Sequence, residues 1–251
     1  MIRYVVNIFL DFDRASLVLS PEWVERRFDQ FQATTLKSLL NQSFKEFEIW
    51  VYCGLRNRAL TERFPWHPRV SPTWDKGKEL IKSKPSDHLS LTRLDSDDLM
   101  RETAMMQVRE YAEQVVAKTP WAERSVLIFR KNLFWDRNSG YIGYHYRDSP
   151  PFFTHIFPAA IQGRPSRYEA LHFTTHGKSG ARLSTTTELG THQVMVIKHK
   201  QNISDIRRNR PFGVCSPEKL QGLRERGAVI AEGEKVPPLL AHFGVQESDW
   251  S

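Results

Sequence analysis

The apolar positions of the chain alternate between two rhythms. A nearly continuous apolar run of strand length covers Arg3 to Leu10, and Pro21 to Gln42 follows with Val24, Phe28, Phe31, Leu36, Leu39 and Leu40 spaced mostly three to five apart. That spacing lines one face of a helix. The segment FEIWVYC, Phe47 to Cys53, is again continuous and rich in aromatic and β-branched residues, which predicts a buried strand. Strand, helix and strand make a right-handed crossover unit. Residues 56–85 are polar, basic and broken by prolines, so mostly loop is expected, with one short helix near Asp75 to Ser83. A third strand is expected at Leu89 to Leu94. After it, Leu99 to Lys118 carries Met105, Val108, Ala112 and Val115 at helical steps, with Asp97 and Asp98 at the entrance and Lys118 at the exit, as the helix dipole favours.

Ser125 to Arg130 reads as a further strand, and Gln193 to Lys198 as the last clear one. Between them, Lys131 to Phe157 is turn-rich and aromatic, punctuated by Gly140, Gly143, Pro150 and Pro151. Near the end, Pro217 to Arg226 predicts a helix, Gly227 to Gly233 a turn or short strand, and Leu239 to Phe243 one more short element. The order describes an α/β fold, a mixed sheet flanked by helices with a C-terminal mixed extension. We expect one domain over residues 1–210 and an extension over 211–251, packed on the domain or closing over it as a lid.

Composition narrows this little further. With 251 residues, 40% of them apolar, the chain can bury a proper core, which excludes intrinsic disorder and stapled miniproteins. Two cysteines, Cys53 and Cys215, allow one disulfide at most, and free thiols in a reducing cytoplasm are expected. The opening apolar run is stopped by Asp11 and followed by no small-residue cleavage site, so neither a signal peptide nor a membrane span is expected, though peripheral membrane contact stays open. A formal charge of +7 suits nucleic acid, phosphorylated metabolites or plain solubility equally. Its densest run, Arg207, Arg208 and Arg210, follows a histidine-bearing strand and suits the rim of a site or a solvated loop.

The block TRLDSDDLM, Thr92 to Met100, carries the most chemistry. Asp95, Asp97 and Asp98 fall where an apolar strand ends, which in an open α/β sheet is the ligand-binding edge. Asp95 and Asp97 could share one hard divalent cation, since three crowded carboxylates repel one another without one. Helix capping by Ser96 or Asp97 is the plainer alternative. Arg93 stands two residues upstream, and a distant strand delivers His199 beside Lys200. A cation held by Asp95, Asp97 and His199 among basic groups would suit a diphosphate leaving group.

The segments Trp23 to Cys53, Leu91 to Met100 and Val194 to Ser204 resemble the rhamnosyltransferase family, within the nucleotide-diphospho-sugar glycosyltransferases of the GT-A fold. The match follows the same order: a helix of arginines and phenylalanines leading to SLLNQSF, a strand, TRLD-x-DD, then H-x-x-N-x-S. The resemblance implies a Rossmann-like GT-A sheet, a nucleotide-sugar donor, Mn²⁺ or Mg²⁺, and transfer of a hexose such as rhamnose to a hydroxyl acceptor in surface polysaccharide or glycan synthesis. It makes Asp95 and Asp97 the DxD pair, His199 the late metal ligand, and Arg93 and Lys200 neighbours of the donor. The second strand ends in Tyr52-Cys53-Gly54, where many such enzymes carry an aspartate toward the base or ribose, so base recognition is unassigned.

An acceptor sugar needs apolar ring faces and a few aimed polar groups. Trp135 and Tyr144, in the aromatic stretch, are the expected contacts, with core packing as the alternative. Inverting transfer needs a base near the attacking hydroxyl. Asp136, Glu169 and Glu188 are the candidates, and Glu188, upstream of the His199 strand, is preferred. His172 and His176 are assigned no metal. A rival reading takes Asp11 and Asp13, at the end of IFLDFD, as the nucleophile and acid of a haloacid-dehalogenase-type phosphatase, without the hydroxyl residue expected shortly after. A second rival is a nucleic-acid-binding module using Arg207, Arg208 and Arg210, but no recognised binding fold or ordered basic stripe supports it, so no nucleic-acid partner is expected.

Overall fold

The computed structural model describes residues 1–11, 19–119, 125–146, 152–164, 186–199 and 215–250. A seven-stranded mixed sheet has the order β10-β6-β9-β4-β1-β2-β3, and a five-stranded sheet the order β12-β8-β7-β11-β5. In the first, β1 (Ile2–Phe9), β2 (Glu48–Tyr52), β3 (Val70–Thr73) and β4 (His88–Asp95) run parallel, with Phe9 opposite both Tyr52 and Asp95. Their carboxyl ends therefore share one edge. β9 (Phe153–Pro158) lies antiparallel between β4 and β6 (Ser125–Ile128), and β10 (Thr186–Glu188) closes the far edge parallel to β6.

Ser20 starts α1 (Pro21–Ala33) by accepting from Trp23 N at 3.3 Å, with Pro21 in the first turn. The single helix expected to run to Gln42 is in fact two. Thr34 Oγ1 donates back to the Gln30 carbonyl at 2.6 Å, a competition with the helix ladder that breaks it before α2 (Thr35–Leu40). Inside the expected loop 56–85, α3 (Arg58–Thr61), β3 and α4 (Lys78–Ser83) form. β3 escapes pattern reading because it is four residues long and contains Pro72, which only an edge strand tolerates.

The helix expected from Leu99 begins five residues later, as α5 (Ala104–Lys118), because Leu99–Met100 is strand β5. Met195 of β11 (Val194–Lys198) pairs with Leu99, and Val194 with Met100. Asp97 and Asp98 thus lie in a turn between two strands rather than at a helix entrance. The aromatic stretch forms a hairpin, β7 (Lys131–Asp136) and β8 (Tyr141–Tyr146), followed by β9. In the C-terminal segment, α7 (Pro217–Glu225) precedes β12 (Val229–Glu232), which pairs with β8, and then α8 (Val236–Ala241).

Alternate faces of the first sheet bury separate cores. Val6, Ile8, Ile49 and Val51 pack with Phe28, Phe31, Leu39 and Met105 from α1, α2 and α5. On the other face, Val5, Trp50, Leu89 and Leu91 meet Ile81 of α4 and Ile161 of α6 (Ala159–Gln162). Leu133, Trp135, Met195 and Ile197 of the second sheet are covered by Val236, Leu240 and Phe243. Among the described residues, no helix is long and apolar enough to cross a membrane. Cys53 and Cys215 are free thiols.

The carboxylate turn, a candidate active site

Asp95 ends β4 and the chain turns at once, with Asp98 N donating to the Asp95 carbonyl at 3.2 Å. Three acidic side chains leave this turn into three different environments. Asp97 points inward, where Arg27 of α1 grips it with a fork: Nη2 lies 2.7 Å from Oδ1 and Nη1 2.8 Å from Oδ2. Both side chains are only 6% exposed. His199, one residue beyond β11, brings Nε2 to 3.0 Å from Asp97 Oδ2 and 3.3 Å from Gln30 Nε2. Burial alone would raise the Asp97 carboxyl, but Arg27 and then His199 hold it well below the usual carboxylate range.

Asp98 behaves in the opposite way. It is buried, accepts from Ile197 N at 2.9 Å through Oδ1, and so ties the turn to β11. Burial, then the neighbouring Asp97 and Asp95 charges, push its carboxyl well above the ordinary range. Asp95 stays 36% exposed by side chain, with Oδ1 at 3.7 Å from Arg93 Nη2. The Arg93 guanidinium lies 4.6 Å from the Phe9 ring and 5.9 Å from that of Phe153, flat-walled packing that holds it beside the strand ends.

The structure thus joins Asp97 to His199 across 102 residues, while Asp95 and Arg93 pair with each other at the end of β4. Arg27, the group in closest contact with Asp97, was missed. Its signal was a charged residue on the buried face of α1, in line with Trp23, Val24, Phe28 and Phe31. The three expected ligands do not fit a shared divalent cation as they stand, because both Asp97 oxygens face a guanidinium and His199 Nε2 faces the same carboxylate. Among the described residues no three His, Cys, Asp or Glu side chains gather as such an ion needs.

Other expected residues are dispersed. Trp135 pairs with Ile197 near the His199 end but is buried in the second core, so its ring faces are covered. Tyr144 is 54% exposed and packs on the His192 ring at 4.9 Å. Its partner in β7 is Leu133, which pairs with Met195, so it stands two strands across and roughly 13 Å along the strand direction from His199, at 3.3 Å per residue. Glu188 is level with Ile128, Phe153 and, through the sheet, the end of β4, three strands away, or roughly 14 Å at 4.8 Å each.

Asp136 is occupied by its own hairpin turn, accepting from Asn138 N at 3.0 Å and Ser139 N at 3.1 Å, with Lys198 Nζ at 3.4 Å. Asp11 accepts from Gly54 N and, at 2.6 Å, from Asn57 Nδ2. These bonds make it a tie between the ends of β1 and β2 rather than a free nucleophile. Asp13, Glu169, His172, His176, Lys200, Arg207, Arg208 and Arg210 lie outside the described residues.

No curated protein matches the sequence. Solved structures that resemble it include Rv0371c from Mycobacterium tuberculosis H37Rv, at 13% identity and TM-score 0.37, covering 82% of this chain and 97% of that one. TarS from S. aureus is 15% identical with TM-score 0.37, over 98% of this chain and 44% of that one. HddC from Yersinia pseudotuberculosis is 11% identical with TM-score 0.37, over 82% and 97%. A family model described as "Putative rhamnosyl transferase" matches residues 11–211, a span that contains the Arg27 helix, the carboxylate turn and His199. The chain belongs to that family of glycosyltransferases.

Proposed function

We propose that the protein transfers a hexosyl group, rhamnose being the first to test, from a nucleotide-diphosphate donor to a hydroxyl of a growing glycan. The observation that carries this reading is the Asp95 to Asp98 turn at the shared carboxyl edge of β1, β2 and β4, inside the segment that matches the family. Ligands of open α/β sheets bind outside those strand ends. On this reading Asp95, partly exposed, meets the donor, and Arg93 opposes the negative charge that grows on the diphosphate as the sugar leaves. Lys200, one residue past His199, would add to that field. The acceptor hydroxyl must give up its proton as the new bond forms, and Glu188 on the edge strand is the base proposed to take it. Tyr144 is the proposed platform for a distal acceptor sugar, given its distance from the turn, whereas buried Trp135 is left to the core.

Divalent cations are widely used to neutralise diphosphate leaving groups. Here the proposed steps rest on the chain's own side chains, because Asp97 and His199 face other partners. The test is a thermal-shift panel of UDP, GDP and dTDP, each with and without Mn²⁺, on the wild type and Asp95→Ala. One nucleotide should raise Tm, and the rise should shrink in the variant; at a hundredfold excess over Kd, bound ligand adds about 2.7 kcal/mol to stability. No shift with any nucleotide would overturn the reading.

A further inference from the structure

Resting on the reading that this turn faces the donor, the charge pattern around Asp97 supports a more definite statement. Three acids within four residues would ordinarily demand an external cation. The fold disposes of their charge internally. Asp98 Oδ1 accepts from Ile197 N, Asp95 lies beside Arg93, and Asp97 is forked by Arg27 at 2.7 and 2.8 Å. The guanidinium is not a wandering surface group: its Nε donates to Ser96 Oγ at 2.8 Å and it lies 5.6 Å from the Trp23 ring. His199 Nε2 lies 3.0 Å from Asp97 Oδ2 and 3.3 Å from the Gln30 side-chain amide, so that nitrogen is already engaged on both sides.

We infer that Arg27 is the resident counter-ion of Asp97, filling the place from which a divalent cation would neutralise it. Asp97 is accordingly a positioning residue that holds Arg27 and His199 together beneath the donor edge, and it does not ligate metal. For a cation to be shared by Asp95, Asp97 and His199, the bidentate fork would have to open and His199 Nε2 would have to leave the Asp97 carboxylate.

The test is direct Mn²⁺ binding, read from the electron paramagnetic resonance signal of the free ion, with Mn²⁺ alone and again with saturating UDP, GDP or dTDP. Wild type and the charge-neutral double variant Arg27→Met/Asp97→Asn should agree within about threefold in Mn²⁺ affinity. Arg27→Gln should gain about tenfold or more, as an unpaired buried carboxylate recruits the ion, and adding Asp97→Asn should abolish the gain. Binding more than about threefold tighter in the wild type than in the double variant would overturn the inference, as would a failure of Arg27→Gln to gain. If Arg27→Gln does not fold, the comparison of wild type with the double variant, which leaves no buried charge unpaired, decides alone. Failure of the glycosyltransferase reading would show differently, as loss of all nucleoside-diphosphate binding whatever the Mn²⁺ result.

Discussion

Asp97 and Asp98 are neighbours in sequence and equally buried, yet their carboxyls move in opposite directions because of what each faces. Asp97 meets a guanidinium and an imidazole; Asp98 meets a backbone N–H and two like charges. Removing one partner of the Arg27–Asp97 pair strands a buried charge and should cost about 3–5 kcal/mol, whereas neutralising both should cost far less than the sum. Urea unfolding of Arg27→Met, Asp97→Asn and the double variant checks this, and additive losses would refute the pairing. In the unfolded chain Asp98 releases its proton near its ordinary pKa of 3.8, while the folded protein keeps it to higher pH. Its contribution is therefore favourable in acid and decays as pH rises toward the folded value. Asp98→Asn, which keeps the acceptor for Ile197 N, should stabilise the protein at pH 7–8 but not at pH 4. A constant difference in denaturation midpoint across that range would contradict the assignment.

At the scale of elements, close approach of backbones decides where the C-terminal strand docks. β12 pairs with β8 opposite Gly143, and a Cβ there would stand 2.6 Å from the Ala228 carbonyl oxygen. That atom cannot swing aside as a flexible side chain can. Gly143→Ala should therefore lower stability by about 1–3 kcal/mol, and thermal unfolding without loss would show that the strands can separate at no cost. The break between α1 and α2 has a related consequence. It lets the Arg27 face of α1 lie over the carboxylate turn while α2 meets β5, where Ser38 Oγ accepts from Met100 N at 3.2 Å.

At the scale of the whole molecule, among the described residues it is the C-terminal segment that covers the second sheet. Val236, Leu240, Phe243 and Val245 close over Leu133, Trp135, Met195 and Ile197, and Asp249 pairs with Lys37 at 2.5 Å to fasten the end against α2. Ending the chain at residue 214 would bare this apolar face and remove β12. The shortened protein should bind a hydrophobic dye such as ANS and aggregate. A monomeric, cooperatively folding 1–214 chain would show instead that the segment is dispensable to the fold.

The first crossover, the three parallel strands β1, β2 and β4, and the Asp95 to Asp98 block were legible in the sequence, because each is a local pattern: continuous apolar runs, a helical stripe, acids at a strand end. β3 and β5 were not, since four residues with a proline and two residues at a turn are too short to carry a period. The same limit misplaced the start of α5 and with it the setting of Asp97. Residue types and their order determined that acidic and basic groups would gather at the carboxyl edge, and that His199 was a partner to consider. Only tertiary packing decided which cation Asp97 would meet, because a guanidinium from the buried face of α1 and an imidazole from β11 reach it through contacts 70 and 102 residues distant in the chain, a separation that no local pattern encodes.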